Sequence, residues 1–527
     1  MPRRFLLACL LAAAPLAAQP DTLRTRAEAS DYRATSTHAD VTAFVEAIGA
    51  EPGFYPTTFG TSVEGRDLPL VVWGAAGANA GAVRGTDKLR VLIVANIHAG
   101  EVAGKEAALM LLRDLATGGH AAWADSLALL VAPIYNADGN ERFDPSNRPF
   151  QHGPVDGMGQ RPNAQGLDLN RDFVKLDAPE SRALVGFMTM MDPHVVIDLH
   201  TTNGTVHGYH LTYAPPLHPN TPAAIDSLLR EVWLPDVTQS YKTKYGWDLA
   251  YYGNDKPEWG LPRGWATFDP RPRFGTNYAG LRNRVAILSE AYSYATFEDR
   301  VIATLRFVTE TLDWAHGHAS QVRRAVERAE AASVVGDSLF LRAARTWEAD
   351  PEPGTILLGE VVEEANPHTG EPMLRRTDTQ APTEMTVYGR FSGTEPEVVP
   401  AGYLVPDSLT NVLDRLDAHG VLYVKPEDAT VPARVETFYI DSVRVAERPF
   451  QDRYERELFG RYRTEDVLIE SGDLVMVFTA QPLGRLVFTL LEPRSDDGFA
   501  SWGIIESGET YPIRRIMNYR VHTGIAR

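Results

Sequence analysis

A continuous apolar run that ends in a histidine constrains this chain more than any other stretch. Residues 91–95, Val-Leu-Ile-Val-Ala, indicate a buried parallel strand, because apolar residues follow one another without alternation. The run leads to His98, and a helical pattern begins near Glu101 and continues to about residue 115. Open α/β sheets place their sites at the carboxyl ends of strands. An imidazole and a carboxylate separated by a glycine turn can reach one metal ion, although alone such a pair is more often a solvated helix cap.

The same succession of strand and helix recurs over the first 330 residues. Further apolar strands are predicted at 127–134, 194–199 and 284–289, and the last two lead into His200 and Glu290. Helical patterns are predicted at 101–115, 178–191 and 297–332. This alternation predicts an α/β fold with a mixed, mostly parallel sheet and helices on both faces.

The pattern changes near residue 340. Short alternating strands are predicted there, at 355–362, 385–391, 434–443, 466–480 and 485–491. One amphipathic helix is predicted between them, with Ser408 as its N-cap and Gly420 as its end. We therefore predict two domains, an α/β domain over residues 30–335 and a smaller, β-rich α+β domain over residues 340–527 whose role the sequence does not give.

The first residues have the composition of an export signal. Arg3 and Arg4 precede an apolar run from Phe5 to Ala18, which is too short to span a membrane and has the length of a signal-peptide core. We predict that residues 1–18 are a signal peptide, and that the protein is exported to a periplasm or the cell exterior without a membrane span. The only cysteine, Cys9, lies inside this segment, so the mature chain is predicted to have neither disulfides nor a thiolate metal site.

Charge and motif content exclude several classes of function. The chain of 527 residues has a formal net charge of −18, which argues against a nucleic-acid partner because no excess positive charge is available for phosphates. The sequence has no His-Glu-x-x-His helix, no Gly-x-Ser-x-Gly elbow and no phosphate-binding loop. The candidate chemistry is therefore concentrated at the predicted strand ends.

Three predicted strands end in groups that bind metals or transfer protons: His98 with Glu101, then His200, and then Glu290. Two neutral imidazoles and a carboxylate suit zinc, and three protein ligands leave a fourth position for water. We predict one zinc ion per chain on His98, Glu101 and His200. A lone buried histidine such as His200 is usually structural. The metal-binding interpretation is favoured because His98, Glu101 and Glu290 are predicted at the same edge of the sheet.

This set of residues resembles the zinc carboxypeptidases, the carboxypeptidase A family, over roughly residues 40–330. His98-x-x-Glu101 is similar to the family's paired ligands, and His200, in Asp-Leu-His-Thr-Thr, is similar to its later single ligand. Glu290, in Leu-Ser-Glu, matches the glutamate that activates the zinc-bound water. Asp168 lies where the family has an aspartate that supports the first zinc histidine.

The resemblance also implies residues that hold the substrate. Asn170 and Arg171 match the pair that binds a peptide's terminal carboxylate. We predict that Arg161 matches the arginine that stabilises the oxyanion, and Arg148 is the alternative. Tyr278 is a candidate for the mobile tyrosine that covers the substrate, and a core tyrosine is an equal alternative. The predicted domain after residue 340 has no counterpart that we can assign.

The resemblance implies a metallocarboxypeptidase, a zinc-dependent hydrolase and protease that acts on peptide or protein C-termini. One alternative keeps the metal chemistry and changes the substrate, giving a zinc-dependent deacylase or a cell-wall peptide amidase. A second alternative is a non-catalytic peptide-binding protein. The presence of all three ligand candidates and the base argues against the second alternative.

Overall fold

The computed structural model describes residues 23–255, 262–347, 353–366, 369–426, 430–506 and 508–517. The predicted signal peptide, residues 1–18, and Cys9 within it lie outside the described residues. In the described part of the chain, no helix is both long enough and apolar enough to cross a membrane.

Among the described residues before 335, nine strands and ten α-helices are formed. The strands are β1 Phe54–Thr61, β2 Asp67–Trp73, β3 Leu89–Ala95, β4 Leu127–Ala132, β5 Val195–Thr201, β6 Leu211–Ala214, β7 Leu249–Tyr251, β8 Trp265–Ala266 and β9 Val285–Ala291. The helices are α1 Arg26–Ala29, α2 His38–Ile48, α3 Ala80–Arg84, α4 Ala103–Ala116, α5 Ala137–Asn140, α6 Pro179–Met191, α7 Ala223–Ser227, α8 Leu234–Tyr245, α9 Gly275–Leu281 and α10 Phe297–Ala331.

Eight of these strands form one mixed sheet in the order β1-β2-β4-β3-β5-β9-β6-β7. The four central strands, β4, β3, β5 and β9, are parallel to one another. Every residue in them is buried, which explains why their sequences are mainly apolar. The predicted α/β class with a mostly parallel sheet is confirmed.

The crossover directions place helices on both faces of this sheet. The connection through α4 leads from β3 to its neighbour β4. The connection through α6 leads in the opposite direction, from β4 past β3 to β5. Because parallel crossovers are right-handed, these opposite directions put α4 and α6 on opposite faces. The carboxyl ends of β3, β5 and β9 then meet at one edge, which is where the candidate site lies.

The C-terminal region, which we define as the described residues from 338 onward, is built mainly of strands. These are β10 Ser338–Phe340, β11 Ala343–Trp347, β12 Pro353–Ala365, β13 Pro372–Tyr388, β14 Phe391–Gly393, β15 Pro396–Val398, β16 Gly402–Pro406, β17 Tyr423–Val424, β18 Thr430–Val445, β19 Arg456–Glu470, β20 Leu474–Phe478 and β21 Arg514–Ile516. Two helices, α11 Thr410–His419 and α12 Gly484–Leu491, accompany them. Its largest sheet has the order β17-β20-β16-β21-β18-β19.

Three local predictions in this region were wrong. Residues 485–491 form helix α12 and not a strand, because a short run of buried apolar residues has no periodicity that separates the two. The strand predicted over 466–480 is divided by a 3₁₀ turn at Ser471–Asp473. Helix α11 has Leu409 as its N-cap and no side-chain cap, so Ser408 does not cap it, although Gly420 ends it with a φ of 74°.

The C-terminal region packs directly on the α/β part. One hydrophobic cluster contains Leu199 and Ile287 of the central sheet together with Leu416 of α11 and Phe499. Strand β13 also pairs with β8, with Val387 opposite Trp265. The domain boundary near residues 335–340 stays a prediction, since the core is continuous across it.

Candidate metal centre and substrate cleft

The chain turns sharply between β3 and α4, and this turn places His98 and Glu101 side by side. Asn96 adopts a left-handed φ of 65°, and its side-chain amide donates to the carbonyl of Ala99 at 3.1 Å. A Cβ atom on Gly100 would lie 2.6 Å from the carbonyl oxygen of Gly159, so only glycine fits between the two functional residues. His98 and Glu101 are each 3 % exposed.

His200 and Glu290 are neighbours across the central sheet. Strands β5 and β9 are parallel, and their register pairs His200 with Glu290. Asp198 lies two residues before His200 on the same strand and therefore points to the same face. Three parallel strands thus deliver the candidate residues to one edge of the sheet.

Ligand atoms of His98, Glu101 and His200 all lie within 4.8 Å of one another. The Nδ1 atom of His98 is 3.0 Å from Glu101 Oε1, and the Nδ1 atom of His200 is 2.9 Å from Glu101 Oε2. The two imidazole rings are 4.9 Å apart, centroid to centroid. Two Nδ1 atoms and one carboxylate therefore converge on a common point.

The outer nitrogen of each imidazole lies near a second carboxylate, in a hydrogen bond for His98 and in a close approach without hydrogen-bond geometry for His200. Nε2 of His98 lies 3.1 Å from Asp168 Oδ1, and Nε2 of His200 lies 2.9 Å from Asp198 Oδ2. Carboxylates behind metal-binding histidines fix the ring orientation and make the ligand nitrogen more basic. A buried set of two imidazoles and a carboxylate, supported in this way, fits zinc. Sequence reasoning missed Asp198, although its i, i+2 spacing from His200 could have identified it.

The carboxyl group of Glu290 is unusual in lacking a partner. Its Oε2 atom is buried and has no hydrogen bond among the described residues. Burial raises the pKa of Glu290 to about 8, and the Glu101 and Asp198 carboxylates add to the rise, while His200 and Arg161 oppose it. A carboxyl group with a raised pKa beside the candidate ligands is suited to accept and return a proton.

Arg148 and Arg161 both line the cleft beside Glu101, and their partners differ. Arg148 donates from Nη2 to Glu101 Oε1 at 2.7 Å, so it is engaged with a candidate ligand. Arg161 donates from Nε to Asp168 Oδ2 at 2.9 Å, and its Nη1 lies 3.9 Å from Glu101 Oε1. The Arg161 side chain is 43 % exposed, compared with 14 % for Arg148, and is therefore the more available to a substrate.

Asn170 and Arg171 follow Asp168 in a short 3₁₀ turn. The side-chain oxygen of Asn170 accepts from the Gly275 amide at 2.8 Å, which ties this turn to α9. The Arg171 guanidinium carbon lies 3.8 Å from the centroid of the Phe274 ring. Burial lowers the pKa of Arg171 to about 10, so the group stays charged at neutral pH. Both residues line the cleft that contains the candidate ligands.

The cleft has a volume of about 1270 Å³. The ligand candidates, Asn170, Arg171, Glu290 and both arginines line it, as do Tyr252, Tyr294 and Phe450. Sequence reasoning did not single out these three aromatic residues. Phe450 is notable because it belongs to the C-terminal region.

Tyr278 is not among the described residues that line the cleft, which favours the alternative of a core tyrosine over a tyrosine that covers the substrate. It is completely buried in α9. Its hydroxyl lies 2.7 Å from His419 Nδ1 and accepts from Arg282 Nη1 at 3.0 Å. The side chain therefore joins α9 to α11 in the core, and it cannot move over a substrate without breaking these bonds.

Comparison with known proteins agrees with this geometry. Residues 42–254 match the protein family described as zinc carboxypeptidase. This range contains the three candidate ligands as well as Asp168, Asn170 and Arg171, whereas Glu290 lies beyond its end.

Individual relatives are also named as carboxypeptidases. Carboxypeptidase 2 of Trichophyton tonsurans is 25 % identical over 486 residues, covering 86 % of this chain and 81 % of the relative. Human carboxypeptidase D is 30 % identical over 159 residues, covering 24 % of this chain and 12 % of the relative. Among solved structures, carboxypeptidase A of Helicoverpa armigera aligns with a TM-score of 0.41 and 14 % identity, covering 56 % of this chain and 77 % of that one. The family match assigns residues 42–254 to the zinc carboxypeptidases, and the alignment with the fungal enzyme extends the similarity over most of the chain.

Proposed function

We propose that this protein is a zinc metallocarboxypeptidase that hydrolyses the C-terminal peptide bond of peptides or proteins. The observation that carries the proposal is the shared cleft, in which a two-histidine, one-carboxylate cluster lies together with Arg171. One ion would be held by His98, Glu101 and His200. When bound, zinc supplies Lewis acidity, which polarises a carbonyl group and makes water more acidic.

The remaining steps belong to residues of the chain. Glu290 accepts the proton of the attacking water on its carboxylate and passes it to the leaving nitrogen. Its buried Oε2 atom has no hydrogen bond among the described residues, so no partner competes for that proton. Arg161 offers positive charge where the oxyanion develops, because its guanidinium is exposed to the cleft.

Arg171 is proposed to select C-termini. A guanidinium binds a carboxylate through two parallel hydrogen bonds, and its position in the cleft would set the last peptide bond over the candidate ligands. Asn170 supports this clamp through its hydrogen bond to Gly275. An internal peptidase has no need of such a clamp.

A panel of blocked peptides that differ only in their last residue tests this proposal by mass spectrometry. We expect products shorter by one residue, loss of activity with a chelator and recovery on addition of zinc. The Glu290→Gln protein, purified in parallel, controls for contaminating peptidases. Internal fragments, or release of an acyl group alone, would contradict a carboxypeptidase.

We also propose that the protein is exported. The basis is the sequence of residues 1–18 alone. Sequencing the mature N-terminus tests it, with Gln19 as the expected first residue.

A further inference from the structure

The C-terminal region contributes a residue to the substrate cleft. Phe450 lines the same cleft as His98 and Arg171 and is 37 % exposed. It lies in the turn that joins β18 to β19, residues 446–455, which we call the β18–β19 turn. A large apolar side chain left open to a cleft is a candidate ligand contact, since burying it against a substrate is favourable.

The β18–β19 turn has a tightly defined shape. Phe450 and Arg453 pair as an antiparallel bridge, with the Phe450 amide donating to the Arg453 carbonyl at 2.8 Å. Between them, Gln451 and Asp452 have φ values of 52° and 58°. Two successive left-handed residues form the turn that matches strand twist, but non-glycine residues adopt this conformation at a cost. Such a conformation persists when surrounding contacts impose it.

In this turn, contacts with the α/β part impose the left-handed conformation. The side-chain oxygen of Gln451 accepts from the Asp168 amide at 2.7 Å, and Asp168 in turn faces His98. The Arg453 guanidinium donates to both carboxylate oxygens of Asp177, at 2.5 and 2.7 Å. The turn is thus fastened within one residue of Phe450 to the aspartate that supports a candidate zinc ligand.

Two further side chains pack against the Phe450 ring. The guanidinium carbon of Arg273 lies 5.6 Å from the ring centroid, and the Trp502 ring is stacked at 6.1 Å with an interplanar angle of 22°. Arg273 is 2 % exposed and donates to Asp497 at 2.9 Å and to Glu455 at 2.6 Å. Phe450 is thus held by Arg273 and Trp502 while 37 % of it stays exposed in the cleft.

The neighbouring cleft residues indicate which kind of substrate side chain the exposed part of Phe450 would contact. Phe274 lies under the Arg171 guanidinium and lines the same cleft, so aromatic surface accompanies the proposed carboxylate clamp. Asp269 and Arg271, two charged residues of the same cleft, are paired with each other at 2.9 and 3.0 Å. An apolar side chain next to a terminal carboxylate therefore fits better than a charged one.

We propose that the β18–β19 turn forms a wall of the substrate cleft, and that Phe450 contacts the side chain of the substrate's C-terminal residue and favours large apolar residues there. The inference rests on the proposed carboxypeptidase function. It assigns to the C-terminal region a direct part in substrate selection.

The test compares kcat/KM for two peptides that differ only in ending with Phe or with Ala. In Phe450→Ala we expect the Phe-ending peptide to lose about tenfold or more relative to the Ala-ending one, mainly through a higher KM. Phe450→Leu should recover part of this selectivity. Tyr454→Ala is the matched control, because Tyr454 is an exposed aromatic residue of the same turn that is not among the described residues lining the cleft.

Zinc content and Tm are measured for every variant. If Phe450→Ala does not fold, Phe450→Leu is used for the comparison. The proposal is then overturned if the ratio of kcat/KM for the Phe-ending peptide to that for the Ala-ending peptide is the same in Phe450→Leu as in the wild type. An equal loss for both peptides in Phe450→Ala also overturns it, because a merely structural role affects every substrate alike. Failure of the wild type to shorten either peptide would instead overturn the proposed carboxypeptidase function.

Discussion

The Nε2 atom of His98 lies 3.1 Å from Asp168 Oδ1, although 70 residues separate them in the chain. Burial alone would raise the pKa of Asp168, but its interactions with His98, Arg171 and Arg161 hold that pKa well below its usual range. Asp168 is therefore a carboxylate at neutral pH and can orient the imidazole. It also receives a backbone contact from its own turn, with the Asn170 amide donating at 2.9 Å.

The candidate ligands predict the metal content. The mature protein should contain one zinc ion per chain, and His98→Ala or His200→Ala should remove it, because two ligands do not hold zinc as three do. Elemental analysis after dialysis measures the content. His120→Ala is the control, since His120 lies outside the cluster. Stoichiometric zinc in a His98→Ala, His200→Ala double variant would contradict this ligand set.

Replacing the proposed base should separate binding from turnover. Glu290→Gln keeps the shape of the side chain and removes its proton affinity, so zinc and substrate should still bind while kcat falls by about 10²–10⁴-fold. Steady-state kinetics and zinc analysis on the same sample measure both. Glu310→Gln changes a buried glutamate bound to Ser240 and Lys244, outside the cleft, and should leave kcat unchanged. Near-normal turnover by Glu290→Gln would refute its role.

Arg171 should distinguish a free C-terminus from a blocked one. Charge-assisted hydrogen bonds contribute roughly 1.5–3 kcal/mol, so Arg171→Ala should lower kcat/KM by about 10- to 100-fold or more. Amidating the peptide should cost the wild type a similar factor and Arg171→Ala almost nothing. Arg171→Lys should recover little, because lysine cannot form the paired hydrogen bonds. Equal cleavage of acid and amide by the wild type would exclude the clamp.

Tyr278 should matter for stability and not for catalysis. Tyr278→Phe leaves His419 Nδ1 and Arg282 without their shared partner in the core, which should cost about 1–3 kcal/mol of unfolding free energy. Urea denaturation measures this loss, and kcat of the folded variant should stay near the wild-type value. A large loss of kcat at unchanged stability would restore a catalytic role for this residue.

His419 should make stability depend on pH. Burial lowers its pKa to about 3, and its Nε2 atom donates to the Val174 carbonyl at 3.0 Å, so the folded state holds the neutral ring. The unfolded state, with a pKa near 6.5, binds a proton first as the pH falls. The stabilisation is thus complete above pH 6.5 and is lost as the pH falls towards 3.

A comparison with His419→Gln isolates this effect from other titrating groups. The difference in unfolding free energy between wild type and variant should shrink by about 1.4 kcal/mol per pH unit between pH 6 and pH 4. Urea titrations of metal-free protein in chelator measure it, so that zinc loss does not contribute. A difference independent of pH would show that His419 is not held neutral.

Local sequence was enough to predict the central sheet and the residues at its edge. The runs before His98, His200 and Glu290 are mainly apolar and do not alternate, as expected of strands buried on both faces. Parallel strands separated by helices bring their carboxyl ends to one edge. The convergence of His98, Glu101, His200 and Glu290 therefore follows from pattern and topology together.

Only the tertiary structure decided which distant residues complete the cleft. The packing of α9 against α11 buries Tyr278, and no periodicity in either helix shows that contact. The apolar run that the sequence predicted as a strand forms a helix at residues 484–491, because the conformation of such a run depends on its burial. Phe450 reaches the cleft because Gln451 binds the Asp168 amide and Arg453 binds Asp177. Such contacts join residues far apart in the chain, and their free energy depends on three-dimensional packing that local sequence patterns do not contain.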